Sequence, residues 1–307
     1  MDFVWKYISV LGKDFAFFGL GFLVFFIGKK VKDWTEPRKL DHELVRSDNG
    51  ALALSLSGHY LGIIILFITV VSHPGEEGQF LNDLIQVFSF SILGVLLLLI
   101  SQKINDGLIL GGIDAQEEIY EKKNLAVASV LFGGTIASSF FIAAALNGDI
   151  GAKVFPGGLN LGVSPILEKT IIGCILSVIF FAVGQIGMIL FAYYYKLWIP
   201  YRLRNELESK QNLAAGTAFA GALLAIGILL TRALFREFES LLQTGILLLL
   251  DLGLAFLLIP VLHFFADWVV LPGSTLKEEI ERDQNFGAGL LEAVVLVSFS
   301  AIIFFAV

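Results

Sequence analysis

Five ionisable side chains stand inside long apolar runs: His59, Asp251, His263, Asp267 and Glu292. Such groups suit the holding or passing of protons or small cations. An imidazole titrates near neutrality, and a carboxyl in apolar surroundings keeps its proton unless it is paired. Asp251 stands about ten residues into its run, or roughly 15 Å at the helical rise, which predicts a place near the middle of a membrane helix. Glu292 is about 10 Å into the last run by the same measure. His263 and Asp267, four apart, share a helix face. Pro260 separates them from Asp251 and is expected to kink or interrupt the helix. His263 and Glu292 fall at similar depth on adjacent antiparallel runs and are within reach of pairing. Gln185 adds a further polar group. The competing reading is that these groups only hydrogen-bond between helices, with neutral carboxyls.

Nothing else in the chain suggests catalysis. Walker loops, GxSxG elbows and HExxH pairs are absent, and the four histidines His42, His59, His73 and His263 have no metal-ligand spacing. The lone Cys174 excludes a disulfide scaffold and reads as a buried, inert thiol. No catalytic residue, metal or cofactor is expected, and the protein reads as a non-enzyme.

Composition dictates where these residues must sit. Of 307 residues, 56% are hydrophobic and 16% charged, whereas a soluble domain needs about 25% charged to cover its surface. The partner is therefore a lipid bilayer. A net charge of −7 argues against nucleic acid. Crossing roughly 30 Å of hydrocarbon takes about 20 apolar residues. Eight runs qualify, at about 14–31, 50–71, 82–101, 125–146, 169–195, 213–234, 241–267 and 286–307. They are continuous rather than alternating, so they are helices and not barrel strands. The first is read as a retained span, because no A-x-A cleavage site follows it. Most Lys and Arg follow odd-numbered spans, from Lys29 and Arg46 in the first such segment to Lys277 and Arg282 in the last. The positive-inside rule then puts these segments in the cytoplasm and both termini outside. The Gly/Pro-rich stretch 148–165 on the other side is read as a loop.

The four cytoplasmic segments repeat one another: HELVRSDNGALA, EEIYEKKNLAVA, NELESKQNLAAG and EEIERDQNFGAG. Aligned on Asn49, Asn124, Asn212 and Asn285, each has a Glu six positions earlier, namely Glu43, Glu118, Glu206 and Glu279. Each Glu is followed by an aliphatic residue, and a small residue stands two positions after each Asn. The caps are 75, 88 and 73 residues apart (124 − 49, 212 − 124 and 285 − 212), so each unit is span, hinge, span. The expected fold is all-α and polytopic, with eight transmembrane helices in four parallel two-helix repeats at 1–72, 73–147, 148–235 and 236–307. Asn at the start of a helix is a good N-cap, which explains it without further function. The alternative is a ring of four Glu and four Asn around a cytoplasmic vestibule. After the caps, even-numbered spans carry small residues, such as Gly58, Gly133 and Gly221, that let helices approach closely. Odd spans are bulky. Even spans are expected to pack inward and odd spans to face lipid, as either a closed scaffold or a slightly splayed pore.

The recurring hinge, followed by a small-residue-rich helix, resembles the bacterial family called domain of unknown function 350. Relatives include the uncharacterised inner-membrane proteins of the group numbered 0719. The resemblance spans the chain; the fourth copy departs after Gly287, where Glu292 and a Val-rich run replace the small residues. It implies a multi-pass bacterial inner-membrane protein and brings no established reaction. An association with stress-response and membrane-maintenance genes comes with it. The readings that follow are a small transporter or channel with its polar site in the last repeat, or a membrane scaffold that recruits a cytoplasmic protein through its hinges. Association with further copies of the chain is compatible with both.

Overall fold

The computed structural model of the chain describes residues 2–72, 80–146, 154–155, 158–235, 240–270 and 273–306. Eight helices among them are long and apolar enough to cross a membrane. In chain order these are α1 (Asp2–Thr35), α2 (Gly50–Val71), α3 (Phe80–Ile104), α4 (Leu125–Ala145), α5 (Pro165–Trp198), α6 (Leu213–Phe235), α7 (Leu241–Val270) and α8 (Phe286–Ala306). The protein is thus a multi-pass, all-helical membrane protein, as its composition requires. His73 and, within the 148–165 stretch, residues 148–153 and 156–157 lie outside the described residues.

Even-numbered helices begin where the sequence places them, because a capping Asn ends the hinge. Odd-numbered helices outrun their apolar cores, with α1 starting at Asp2 rather than near residue 14. A hydropathy run stops at the first polar turn, but the backbone ladder does not. Nor does Pro260 interrupt α7, which continues through it to Val270. Neighbouring groups and local adjustment in membrane helices compensate for the lost hydrogen bond.

The spacing in the hinge motif has a backbone cause. Asp48, Lys123, Gln211 and Gln284, each just before its cap, have φ of +48° to +50°. A non-glycine residue there costs roughly 1–2 kcal/mol. The reversal lets each cap N–H donate to the carbonyl of the Glu six residues back. These bonds are Asn49 to Glu43 (3.2 Å), Asn124 to Glu118 (2.9 Å), Asn212 to Glu206 (2.8 Å) and Asn285 to Glu279 (2.8 Å). The Glu and Asn are six apart because they close this turn. In the last three hinges it follows a π-helical turn (Glu117–Glu121, Asn205–Ser209 and Glu278–Arg282); the first uses a short α-helix, Leu40–Val45.

The even helices stand in a row, α2 against α4, α4 against α6 and α6 against α8, and these are the most extensive helix pairings in the molecule. The odd helices form a second row behind it. There α3 sits between α2 and α4, α5 between α4 and α6, and α7 between α6 and α8. At the start of the row, α1 packs against α2 and α3. Glycine makes the tight row possible. A Cβ on Gly216 would lie 2.4 Å from the Ala126 carbonyl oxygen, and one on Gly221 would lie 2.4 Å from the Ala293 Cα. These neighbours are backbone and cannot yield, so the even helices meet in close contact at these points of the row.

The parity rule therefore holds for the middle of the row. Buried residues make up 72% of the apolar window of α4 and 78% of that of α6, against 39% for α2 and 33% for α8, no more than α3 or α5. The end helices each lack one neighbour. The Glu and Asn side chains likewise follow an open row, not a ring around a vestibule.

Candidate functional site

The hinge residues come first, because they fix the ends of the membrane helices. Asn124 Oδ1 accepts from the Ala126 and Val127 amides (2.9 and 3.2 Å). Asn212 does the same for Ala214 and Ala215 (3.0 and 3.3 Å). Asn49 caps Leu52 (3.0 Å) and Asn285 caps Gly287 (3.0 Å). The amide end reaches into the next repeat. Asn49 Nδ2 donates to the Ile119 carbonyl (2.8 Å), Asn124 to that of Leu207 (2.7 Å) and Asn212 to that of Ile280 (2.6 Å).

Asn124 and Asn212 also donate to their own Glu118 and Glu206, at 2.6 and 2.8 Å. The second oxygen of each buried carboxylate meets Lys122 or Lys210, both at 2.7 Å. Glu118 and Glu117 hold the Lys122 ammonium above its ordinary range. The two middle hinges are thus internally satisfied and latched to the following repeat. At the edges the pattern loosens: Glu43 meets Arg38 at 3.7 Å, and Glu279 and Asn285 bond each other (2.8 Å) in the open.

The last repeat holds four of the five ionisable residues singled out within the apolar runs, all but His59. His263 Nδ1 lies 2.6 Å from Glu292 Oε1. Glu292 is fully buried, and its Oε2 has no hydrogen-bond partner among the described residues. The Trp198 ring stands edge-on to His263 at 4.9 Å. Both groups are about 10 Å in from the hinge face, seven residues before Val270 and six after Phe286. Asp267 does something different: its Oδ1 accepts from the Leu276 amide at 2.5 Å and pins the start of the fourth hinge.

Asp251 faces Arg232 of α6, Oδ1 to Nη1 at 4.0 Å, with both side chains about nine-tenths buried. Each is 19 residues from its hinge-side helix end (270 − 251 and 232 − 213), or about 28 Å. That level is beyond the middle of the bilayer, toward the termini. Ten residues into α7 is not mid-membrane, because α7 has 30 residues and its partners α6 and α8 only 23 and 21. Arg232 is absent from the sequence-derived candidates, because it falls in the last turn of α6, where a basic residue reads as an interfacial anchor.

A second polar cluster lies mainly in the first half and draws Gln185 from α5; of these groups the sequence singled out only His59 and Gln185. Ser101 Oγ donates to Gln185 Oε1 (2.6 Å), Gln185 Nε2 to Asn105 Oδ1 (2.9 Å), and Asn105 Nδ2 to Ser138 Oγ (3.1 Å). Beside it, Lys32 Nζ donates to Gln102 Oε1 (3.3 Å). Gln102, Lys32, Asp106, Glu36, Tyr120 and Thr135 line a cavity of about 280 Å³ that reaches the hinge face. Burial and its donation to Glu36 push the Tyr120 phenol well up. His59 is buried in α2, beside Gln102 and the Gly28 backbone. Gln102 and His263 occupy equivalent places, 22 residues before their caps (124 − 102 and 285 − 263), as do Asp106 and Asp267, 18 before theirs (124 − 106 and 285 − 267). The halves share a scaffold and differ in the chemistry placed on it. None of these clusters joins three His, Cys, Asp or Glu side chains in a metal-holding group among the described residues.

Fold and sequence define a multi-pass membrane protein with an internally repeated hinge motif. The chain belongs to the family described as Domain of Unknown Function (DUF350), whose model matches residues 7–146 and 166–307. Each matched stretch contains four of the helices. No curated protein and no solved structure matches it.

Proposed function

We propose that this protein passes protons or small cations across a bacterial inner membrane, using the polar groups of its last repeat. The observation that carries the reading is the His263–Glu292 pair, fully enclosed at membrane depth with one carboxylate oxygen unpartnered among the described residues. Ionisable groups are expensive there, and by default mark a functional site. A proton held between imidazole and carboxylate can leave by either group. Ser300, buried and with no partner for its hydroxyl among the described residues, lies about 21 Å from the hinge face, between this pair and Asp251–Arg232. The intervals exceed a hydrogen bond, so transfer runs through water admitted when α7 moves. After α1, α7 is the span least covered by the rest of the protein. Hinges in the cytoplasm and termini outside fit the distribution of Lys and Arg.

The scaffold reading, with a cytoplasmic partner recruited through the hinges, has less support. The Glu and Asn it would offer in the middle hinges are buried and already bonded. The deciding experiment uses proteoliposomes with an internal pH-sensitive dye. Wild-type protein should dissipate an imposed pH gradient, and Glu292→Gln should slow it at least tenfold. Equal rates for the two, or no flux above empty vesicles, would remove the pair from the mechanism. Cysteine labelling from each side of intact cells tests the orientation.

A further inference from the structure

The row of even helices is built by one interface used three times, and both of its ends stand open. Each interface has the same parts. A cap amide donates to the carbonyl five residues before the next cap: Asn49 to Ile119, Asn124 to Leu207, Asn212 to Ile280. The residue two after one cap packs against the residue four after the next, as Ala126 does against Gly216 and Ala214 against Gly289. An odd helix then packs over the seam.

At the α8 end, Asn285 is exposed and its amide turns back to Glu279. A Cβ on Gly287, two after this cap, would meet only the Asn285 side chain within 4 Å, and Leu290 and Val294 are exposed beside it. The α2 end presents the complementary half. Ala53, four after its cap, is exposed, as are Ser57 and Leu61. On α1, Phe18 and Phe22 are 65% and 63% exposed. Their counterparts 163 residues on (181 − 18 and 185 − 22), Phe181 and Gln185, are buried against the preceding repeat.

We infer that these ends bind each other between copies, so that α8 and the fourth hinge of one molecule dock on α1, α2 and the first hinge of the next, with Asn285 Nδ2 donating to the Leu44 carbonyl. The occupant is a second copy because the missing half of each interface is present at the opposite end of the same chain. Such an interface is heterologous: it closes into a ring or runs on as a chain. One position differs. Val294 replaces the glycine that stands nine after the other caps (Gly58, Gly133 and Gly221). Its bulk holds the helices further apart, so this contact is looser than those inside the chain and the association reversible.

The test is disulfide trapping in native membranes, in a Cys174→Ala background. Gly287→Cys combined with Ala53→Cys places thiols at opposite ends of the row, so any bond between them joins two molecules. Oxidation should give a ladder of dimers and higher species. The control pair Ile186→Cys with Leu249→Cys, exposed on odd helices, reports random collision. A ladder no stronger than the control would overturn the inference and assign both ends to lipid. Val294→Gly should raise the trapped fraction severalfold. Asn285→Asp keeps the cap acceptor but removes the amide donor, and should lower the trapped fraction about fivefold, the worth of one hydrogen bond. No change in either variant would likewise count against the docking geometry.

Discussion

Replacing the same asparagine in two repeats should have unequal effects, and the structure says by how much. Asn212 caps α6 through two backbone amides and donates to both Glu206 and the Ile280 carbonyl, all in a buried setting. Its loss to alanine removes a cap worth about 1 kcal/mol and two buried hydrogen bonds worth about 1 kcal/mol each. The total for Asn212→Ala is about 3 kcal/mol. Asn285 makes the corresponding cap but reaches no following repeat, and its bond to Glu279 is exposed. Asn285→Ala in monomeric, detergent-solubilised protein should therefore cost about 1 kcal/mol, the cap alone. Unfolding by SDS titration, followed by tryptophan fluorescence, measures both, and Asn124→Ala should match Asn212→Ala. Equal losses at positions 212 and 285 would show that the asparagines act only as caps and that the latch between repeats is worth nothing.

Further outcomes follow from the same contacts. Gly221→Ala forces a methyl group into the Ala293 backbone and should cost 1–3 kcal/mol or more, whereas Gly19→Ala, with nothing within 4 Å, should be neutral or slightly stabilising; the same titration separates them. His263→Leu leaves Glu292 buried without its partner, at a cost of about 3 kcal/mol or more. The double change His263→Leu with Glu292→Leu should recover much of this, and a double-mutant cycle without coupling would show that the pair is not formed. Glu279 is held below the usual carboxylate range, chiefly by the hydrogen bond from Asn285. A lowered folded-state value stabilises above the unfolded value, and that contribution disappears as pH falls through the folded one. NMR titration should show the Glu279 midpoint rise toward 4.5 in Asn285→Ala; an unchanged midpoint would refute the cause.

Much of the fold was legible because the membrane restricts the choices. Apolar runs of sufficient length had to be helices, and the four asparagines marked where even helices begin. The polar sites were less legible. Asp251 and Glu292 could be found because a carboxyl inside an apolar run is conspicuous, and matching depth brought Glu292 to His263. Arg232 could not, since at a helix end it looks ordinary. The Ser101, Gln102, Asn105 and Ser138 network was equally hidden: neutral polar residues near the end of one helix and scattered among alanines in another give no signal until packing brings them together.

The hinge motif shows the division most clearly. Its residue types and six-residue spacing are local, because they close a turn through a left-handed residue and cap the next helix, and a local arrangement repeats wherever its sequence does. Whether four such units form a ring or a row depends on the angle at which close-packed helices meet. That angle is set by contacts such as Gly216 on Ala126 and Gly221 on Ala293, between residues far apart in the chain. The sequence made the four hinges alike and placed His263 and Glu292 in only one repeat; tertiary packing buried that pair and left the first and last repeats with open faces.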